Sequence, residues 1–136
     1  MIFEKLFEKI EIMQKMELSI KFDEEMEKIK KWNEKTFPDA TMAVQLLKLE
    51  EELREFTETK TQKEQTKELA DVFIVLGGLK RWDCLIGNFI RNRLLDDTPV
   101  CVLKMILKAI RRKMDVNRKR TWKKSSDGRF QHSNKE

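Results

Sequence analysis

Hydrophobic residues recur every three or four positions near the start of the chain, at Ile2, Phe3, Leu6, Phe7, Ile10 and Met13. This spacing predicts an amphipathic helix over residues 2–18. Asp23 stands where an N-cap residue is expected, which predicts a separate helix from there to about Glu34. The segment TFPDAT then breaks the pattern, because a proline disfavours the helical conformation in the residue before it.

The next two segments predict a pair of helices that differ in burial. Asp39 or Thr41 can cap the first, whose apolar stripe contains Leu46, Leu49, Leu53 and Phe56. A polar, threonine-rich stretch follows and predicts a turn or a frayed linker. From about Glu64 the second helix runs to Gly77 and Gly78. Its apolar residues are Leu69, Val72, Phe73, Ile74, Val75 and Leu76. They cover most of its circumference, which is typical of a buried helix.

The remainder predicts one more long helix and a polar tail. Residues 80–95 fit either a continuation of the buried helix after a break or a short separate helix. Thr98 as N-cap, with Pro99 at the first helical position, marks the start of the last helix, which runs to about Arg120. The tail, residues 123–136, contains few apolar residues, so we expect it to be irregular and partly mobile. Together the segments predict an all-α bundle of four to six helices.

Length and composition agree with a single helical domain. The chain has 136 residues, of which 39% are charged and only six are glycine or proline, a balance that favours helices. Cys84 and Cys101 lack the Cys/His spacing of a zinc site, so we expect reduced thiols of a cytosolic protein. The charged N-terminus resembles neither a signal nor a transit peptide, and no apolar run approaches the roughly 20 residues that span a bilayer. We therefore expect cytoplasmic localisation and no membrane partner.

The two parts of the chain have opposite net charge. Residues 1–60 contain 15 acidic and 11 basic residues, a net charge of −4. Residues 61–136 contain 9 acidic and 18 basic residues, a net charge of +9. The acidic and basic parts can pair with each other, or both can act on a metal-bound anion.

Four acidic side chains are candidates for chemistry because of their spacing. Glu52 and Glu55 are three residues apart beside the apolar stripe, so they lie on one side of their helix. Glu68 and Asp71 have the same spacing at the edge of the buried helix, where an unpaired carboxylate is costly. If the two helices pack antiparallel, the four carboxylates converge and need compensating positive charge.

Either a metal ion or basic side chains can supply that charge. Ligands that are all oxygen atoms favour Mg²⁺, with Mn²⁺ as the second choice. A di-iron, zinc or histidine-based phosphohydrolase site is disfavoured because the sole histidine, His132, lies in the tail. The alternative is that the acids pair with lysine or arginine residues of other helices. Two such acidic pairs, one of them in an apolar helix, favour the metal.

The last helix has a complementary basic face. Lys113, Asn117 and Arg120 are four and three residues apart and therefore share one side of that helix. Residues 99–124 contain ten lysines and arginines against a single acid, Asp115. Lysine and arginine neutralise phosphate oxygens, and asparagine can donate or accept a hydrogen bond. The alternative is a solvated cationic face near a helix C-terminus, which the helix macrodipole favours.

Several sequence blocks resemble a known family. KLEEELREF, residues 48–56, followed by ELADVFIVLGGL, residues 68–79, resembles the ExxE…ExxD signature of the MazG-like all-α nucleoside triphosphate pyrophosphatases. KMDVNRKRTW, residues 113–122, resembles the K-M-x-x-N-x-x-R segment of this superfamily, including its dCTP pyrophosphatase branch. KWNEKTFPDAT, residues 31–41, is similar to the family's Trp…Phe-Pro entry into the second helix. The resemblance covers about residues 24–122.

The resemblance implies an activity and a set of site residues. The implied reaction is Mg²⁺-dependent hydrolysis of a (d)NTP to the monophosphate and pyrophosphate, with house-cleaning of the nucleotide pool as a role. The implied metal ligands are Glu52, Glu55, Glu68 and Asp71. Glu52 or Glu55 is the implied proton acceptor. The residues implied to hold the triphosphate are Lys113, Asn117 and Arg120, and those implied to border the base are Trp32 and Phe37.

The resemblance also implies how the chain is organised. Residues 1–122 are expected to form a single all-α pyrophosphatase domain, followed by the polar tail of residues 123–136. Residues 1–20 are an extra N-terminal helix outside the family pattern, and their apolar stripe suits packing or oligomerisation. The family forms dimers or tetramers, so we expect a homodimer or a homotetramer.

Two other functions are compatible with parts of this pattern. A phosphoribosyl-ATP pyrophosphatase uses the same scaffold, although the longer N-terminus and the FPDAT segment favour the nucleoside triphosphate branch. A helical nucleic-acid-binding or regulatory module would use the basic C-terminal half. That module would leave the acidic pair in the apolar helix, Glu68 and Asp71, unexplained, so nucleic acid is not the favoured partner.

Overall fold

The computed structural model describes residues 1–126 and 128–132. This part of the chain forms five α-helices, one 3-10 helix and a two-stranded antiparallel hairpin. The helices are α1 (Ile2–Thr36), α2 (Met42–Thr57), α3 (Gln62–Leu79), α4 (Leu85–Asp97) and α5 (Val100–Lys119). The 3-10 helix is Lys80–Trp82, and the strands are β1 (Trp122–Lys124) and β2 (Phe130–His132). The protein is mostly helical, as the all-α prediction requires.

Helix α3 is the centre of the bundle and packs against α1, α2 and α5. Its side chains Val72, Phe73 and Leu76 are almost completely buried, as the apolar residues around its circumference predicted. Phe73 contacts Phe22 of α1, with the ring centroids 4.8 Å apart. Helix α5 adds a buried stripe consisting of Leu103, Ile106, Leu107, Ile110 and Met114. Removal of these apolar side chains from water is the main stabilising contribution to such a bundle.

Helix α1 is a single helix of 35 residues, so the predicted division at Asp23 is wrong. No glycine or proline interrupts it, and its buried stripe, which includes Leu18, Phe22, Met26 and Ile29, continues across that point. Asp23 forms an ion pair with Arg91 of α4 instead of capping a helix. The helix ends at Thr36, where the Phe-Pro sequence predicted a break.

Threonine caps begin α2 and α3. Thr41, rather than Asp39, caps α2, and its Oγ1 accepts a hydrogen bond from the Val44 amide at 3.3 Å. Thr61 caps α3 in the same way, so this helix begins at Gln62, two residues earlier than predicted. Each cap satisfies one of the amides that a helix N-terminus leaves without a partner.

Gly77 and Gly78 do not end α3, contrary to the prediction, because the helix continues to Leu79. Their role is close packing. A Cβ atom at Gly77 would lie 2.8 Å from Ile29 Cγ2 of α1. A Cβ atom at Gly78 would lie 2.6 Å from Gln45 Nε2 and 2.9 Å from Asn33 Nδ2. The two glycines therefore allow α1 and α2 to approach α3 more closely than a side chain would permit.

Residues 80–95 fitted either a continuation of α3 or a separate helix. Most of them form a separate helix, α4, after the 3-10 helix. Asp83 lies between them with a positive φ of 48°, a left-handed conformation that breaks the helix. Helix α5 begins one residue later than predicted. Thr98 ends α4, and Pro99 is the N-cap residue of α5 rather than its first helical residue.

The tail contains regular structure, so the prediction of an irregular segment is wrong for both strands. Trp122 pairs with His132 and Lys124 pairs with Phe130 across the antiparallel hairpin. Gly128 has a φ of 87° within the connecting turn, a conformation that glycine adopts without steric cost. The aromatic side chains of the hairpin pack on the end of α1, which explains why a mostly polar segment is ordered. Residues 127 and 133–136 lie outside the described part.

The N-terminal half of α1 leaves its apolar stripe uncovered. Phe3 and Phe7 are 74% and 69% exposed, so this stripe does not pack into the described core. Cys84 is buried and Cys101 is exposed, and both are free thiols as predicted. Among the described residues, no helix has the length and apolar character needed to cross a membrane.

Candidate functional site

Three glutamates of α2 and α3 converge on one point. Glu52, Glu55 and Glu68 each offer a carboxylate oxygen, and these oxygens all lie within 4.8 Å of one another. Glu52 Oε2 and Glu68 Oε2 are buried and have no hydrogen-bond partner among the described residues. A buried acceptor without a partner costs about 1–3 kcal/mol, and more if it is charged. The triplet therefore favours binding either a proton or a cation.

Burial and like charge raise the pKa values of two of these glutamates. Burial is the largest cause for Glu52, and the negative charges of Asp71 and Glu55 add to it, which raises the Glu52 pKa from 4.5 to about 8. The same three causes raise the pKa of Glu68. In the protein without a bound cation, protonation of these carboxyl groups is thus the way in which their repulsion is relieved.

Asp71 adds negative charge to this site but has a partner of its own. The Lys113 Nζ atom donates a hydrogen bond to Asp71 Oδ1 at 2.6 Å, and both side chains are about one-quarter exposed. This contact is the ion pair that the sequence offered as the alternative to a metal ligand. The structure therefore brings three of the four predicted metal ligands together and joins the fourth to Lys113.

The residues predicted to hold phosphates lie toward the C-terminal end of α5, and two of them, Asn117 and Arg120, contact each other. Asn117 Oδ1 accepts a hydrogen bond from Arg120 Nη1 at 3.3 Å, and Asn117 Nδ2 contacts Met114 Sδ at 3.7 Å. Arg120 is the C-cap residue, just beyond the helix. Its Nε atom is buried and has no hydrogen-bond partner in the described part of the chain. A donor of this kind suits an anionic ligand.

Two cavities connect the acidic and basic groups. The first has a volume of about 430 Å³ and extends from Glu52 to an aromatic cluster. The second has a volume of about 410 Å³ and is lined by Lys67, Asp71, Arg112, Lys113, Val116, Asn117 and Arg120. Asp71, Asn117 and Arg120 line both cavities, so the two adjoin. Four cationic side chains in the second cavity make it suitable for a polyanion.

Aromatic rings from α1 and from the hairpin line the first cavity. Trp32 and Phe37, both predicted to border a base, have ring centroids 5.3 Å apart. Phe37 also lies 5.3 Å from Trp122 and 4.5 Å from Phe130, measured between ring centroids. We refer to these four residues as the aromatic wall. Because neighbouring rings are in contact, the wall presents one continuous apolar surface.

Sequence reasoning assigned no role to several residues of the cavities, namely Lys67, Arg112, Trp122, Arg129 and Phe130. A signal for the hairpin was present, because Trp122 and Phe130 are two aromatic residues in an otherwise polar tail, with Gly128 between them. Lys67 precedes Glu68 directly and gave no signal that separates it from other surface lysines.

A cavity larger than these two lies elsewhere, between α1 and α4. It has a volume of about 850 Å³ and is lined by residues of both charges, including Asp23, Glu27, Lys28 and Arg91. None of the site residues predicted from the sequence lines it. The candidate site therefore consists of the two smaller cavities.

No protein-family model, curated protein or solved structure matches the chain. The MazG-like resemblance stays a prediction that depends on the sequence blocks described above.

Proposed function

We propose that the protein is a metal-dependent nucleoside triphosphate pyrophosphohydrolase that converts a (d)NTP to the monophosphate and pyrophosphate. One observation carries the proposal. In the described part of the chain, buried carboxylate oxygens of Glu52 and Glu68 have no hydrogen-bond partner, and they lie beside a cationic cavity in which a buried guanidinium nitrogen of Arg120 also has none. A divalent cation together with a polyphosphate would satisfy both sets of atoms.

The donor set of the triplet fits Mg²⁺, or Mn²⁺, because all of its ligands are carboxylate oxygens. Glu52, Glu55 and Glu68 would hold the ion, and Asp71 would join them if Lys113 turned toward the substrate. A bound Mg²⁺ ion supplies charge neutralisation of the phosphates and lowers the pKa of a coordinated water.

Residues of α5 and α3 would hold the triphosphate. Lys113, Arg120, Lys67 and Arg112 place positive charge around one cavity, where it would stabilise the charge that develops on the leaving pyrophosphate. Asn117 accepts a hydrogen bond from Arg120 and so positions the guanidinium group. It acts through Arg120 in this arrangement, in addition to lining the cavity.

Glu52 or Glu55 would accept the proton of the attacking water. In the reaction, a water oxygen bonds to the α-phosphorus, the bond from that phosphorus to the bridging oxygen breaks, and pyrophosphate leaves with the bonding electrons. The water proton passes to a carboxylate, for which Glu52 and Glu55 are the candidates. Burial, together with the charges of Asp71 and Glu55, raises the pKa of Glu52 to about 8 in the protein without a metal. A nearby cation lowers that pKa, so the charge of the metal aids the ionisation of Glu52.

A second candidate, a nucleic-acid-binding module, has support from the outer face of α5. Lys104, Lys108 and Arg112 are exposed at four-residue intervals and form a basic stripe. Binding of nucleic acid would not explain why the carboxylates of Glu52, Glu55 and Glu68 converge. Salt-sensitive binding of nucleic acid, together with no Mg²⁺-dependent turnover of nucleotides, would favour it.

The proposal is tested by incubating the protein with a panel of canonical and modified (d)NTPs and phosphoribosyl-ATP in Mg²⁺. We expect pyrophosphate rather than orthophosphate as the product. Lys113→Ala should lower turnover by roughly 10²-fold or more, as loss of a transition-state donor does, while Mg²⁺ binding persists. Lys108→Ala, on the exposed face of α5, is the matched control and should retain activity. Release of orthophosphate, or no turnover of any compound, would contradict the proposal.

A further inference from the structure

Asp71 lies between the acidic and the cationic parts of the candidate site. It follows Glu68 by one turn of α3, and it lines both the cavity that contains Glu52 and the cationic cavity. Its negative charge acts on the glutamates, because after burial it is the next cause of the raised pKa values of Glu52 and Glu68. A divalent cation held by the glutamates would therefore attract Asp71 as a further oxygen ligand.

The ammonium group of Lys113 already occupies Asp71. The Lys113 Nζ atom donates a hydrogen bond to Asp71 Oδ1 at 2.6 Å. Its charge also acts on Glu68: burial and the charges of Asp71 and Glu55 raise the Glu68 pKa, and the charge of Lys113 opposes them. Lys113 thus supplies part of the positive charge that these carboxylates need. A divalent cation and the ammonium group therefore compete for the same acidic side chains.

The ion pair can open at little cost. Both side chains are about one-quarter exposed, and a partly exposed ion pair contributes little to stability. The lysine side chain is flexible, so it can change partners by rotation about its own bonds. Lys113 also lines the cationic cavity, together with Lys67, Arg112 and Arg120. A phosphate group in that cavity offers Lys113 oxygen acceptors outside the acidic site.

We propose that the ion pair between Lys113 and Asp71 couples the binding of a divalent cation to the binding of a phosphate-bearing ligand. In the protein without ligands, Lys113 holds Asp71 and opposes the cation. A phosphate in the cationic cavity draws Lys113 away and frees Asp71 for the cation. By linkage, each ligand raises the affinity for the other by the same factor. This inference rests on the proposed function for its two ligands, and it adds a regulation of the site that the family resemblance does not imply.

The test measures the affinity of the full chain for Mg²⁺ alone, by calorimetry, in a double-mutant cycle of Lys113→Met and Asp71→Asn. Lys113→Met should raise the affinity roughly 10- to 150-fold, within the usual range of coupling between two sites. In the Asp71→Asn background, the same substitution should raise it less than about fivefold, the effect of removing one partly exposed charge. Lys67→Met is the matched control, because Lys67 lines the same cavity, and its effect should also stay below about fivefold.

Inorganic phosphate provides the second measurement. In wild type, saturating phosphate should raise the affinity for free Mg²⁺. Lys113→Met should remove most of this increase, because Asp71 is already free in that variant. Equal effects of Lys113→Met in the two backgrounds, or equal effects of Lys113→Met and Lys67→Met, would overturn the coupling, since each result is what a general loss of positive charge produces.

The outcomes separate this inference from the proposed function. If Lys113→Met raises the Mg²⁺ affinity only when Asp71 is present, but no triphosphate is hydrolysed, the coupling stands and the pyrophosphohydrolase assignment fails. If triphosphates are hydrolysed while the two backgrounds respond alike, the coupling is overturned and the activity stands. If Mg²⁺ binds neither wild type nor any variant, with or without phosphate, and nothing is hydrolysed, both are overturned.

Discussion

At the scale of single residues, the acidic site combines two glutamates that each have an unsatisfied buried oxygen with an aspartate that pairs with a lysine. Within residues 1–126 and 128–132, Glu52 and Glu68 each have a buried oxygen without a hydrogen bond, whereas Asp71 Oδ1 accepts one from Lys113 Nζ at 2.6 Å. The spacing of the acids predicted that they would meet. It did not predict this division, because the sequence does not show which face of α5 meets α3. The ion pair between Lys113 and Asp71 is a feature that only the packed helices reveal.

The raised pKa of Glu52 predicts how stability depends on pH. Because its pKa rises from 4.5 to about 8 on folding, the folded state binds the proton more tightly than the unfolded state. The stability of the protein in chelator should therefore fall as the pH rises from about 4.5 to about 8, and level off above that. Urea unfolding at several pH values measures the slope, and saturating Mg²⁺ should reduce it because the cation replaces the proton.

Glu52→Gln removes one of the two glutamates whose pKa is raised and should reduce the slope of that profile. Glu50→Gln is the control, because Glu50 is exposed on α2 and pairs with Arg54, one turn along the same helix. Its profile should match that of wild type. Stability that rises with pH over this window in chelator would show that Glu52 is ionised in the folded protein without a cation.

At the scale of elements, the helix caps and the burial of α3 could be predicted from the sequence. The continuity of α1 and the contacts between segments distant in sequence could not. Thr41 caps α2, and the apolar side chains around α3 are buried, as helix capping and hydrophobic patterning predict. Asp23 was misread as a cap because its side chain suits that role, but the buried stripe of α1 runs past it and tertiary packing decides the outcome. The hairpin was missed because a short strand pair depends on contacts with Phe37, which is distant in sequence.

The close contact at Gly77 predicts an effect opposite to helix propensity. Alanine is favoured over glycine in a helix by about 1 kcal/mol. A Cβ atom at Gly77 would lie 2.8 Å and 2.9 Å from two atoms of Ile29, which is branched and buried. Gly77→Ala should therefore destabilise the protein by about 1–3 kcal/mol, the usual cost of overpacking.

Gly87→Ala is the matched control for this measurement. Gly87 lies in α4, and its added Cβ atom would meet Leu79 at an ordinary distance of 3.5 Å. This variant should be as stable as wild type or up to about 1 kcal/mol more stable in urea unfolding. Equal stability of Gly77→Ala and Gly87→Ala would mean that α1 and α3 are less closely packed than the structure has them.

At the scale of the whole molecule, the acidic first part of the chain is joined to the basic remainder. Ion pairs connect Glu25 with Arg111, Asp23 with Arg91 and Glu51 with Arg129. The opposite net charges of the two parts of the chain are thus partly neutralised by ion pairs within the fold. The positive charge around Lys113 and Arg120 remains concentrated beside the glutamate triplet, which is where a metal-bound anion would need it.

The exposed stripe on the N-terminal half of α1 predicts self-association. Ile2, Phe3, Leu6 and Phe7 are more than half exposed, and large contiguous apolar surfaces of this kind mark interaction sites. We expect a homodimer at least. Phe3→Glu with Phe7→Glu should shift the mass measured by light scattering toward the monomer, whereas Lys5→Glu with Lys9→Glu should not. A compact wild-type monomer at micromolar concentration would contradict the prediction.

Thermal unfolding of wild type and Glu68→Gln, each in Mg²⁺ and in chelator at pH 8, tests the metal site most directly. Wild type should gain stability in Mg²⁺ by mass action, about 2.7 kcal/mol at one hundred times the Kd. Glu68→Gln should be at least as stable as wild type in chelator, because one crowded charge is gone, and should gain little from Mg²⁺. Glu50→Gln, the control, should respond as wild type does. If Mg²⁺ shifts neither melt and Glu68→Gln is strongly destabilised in chelator, the glutamates serve the fold and not a cation.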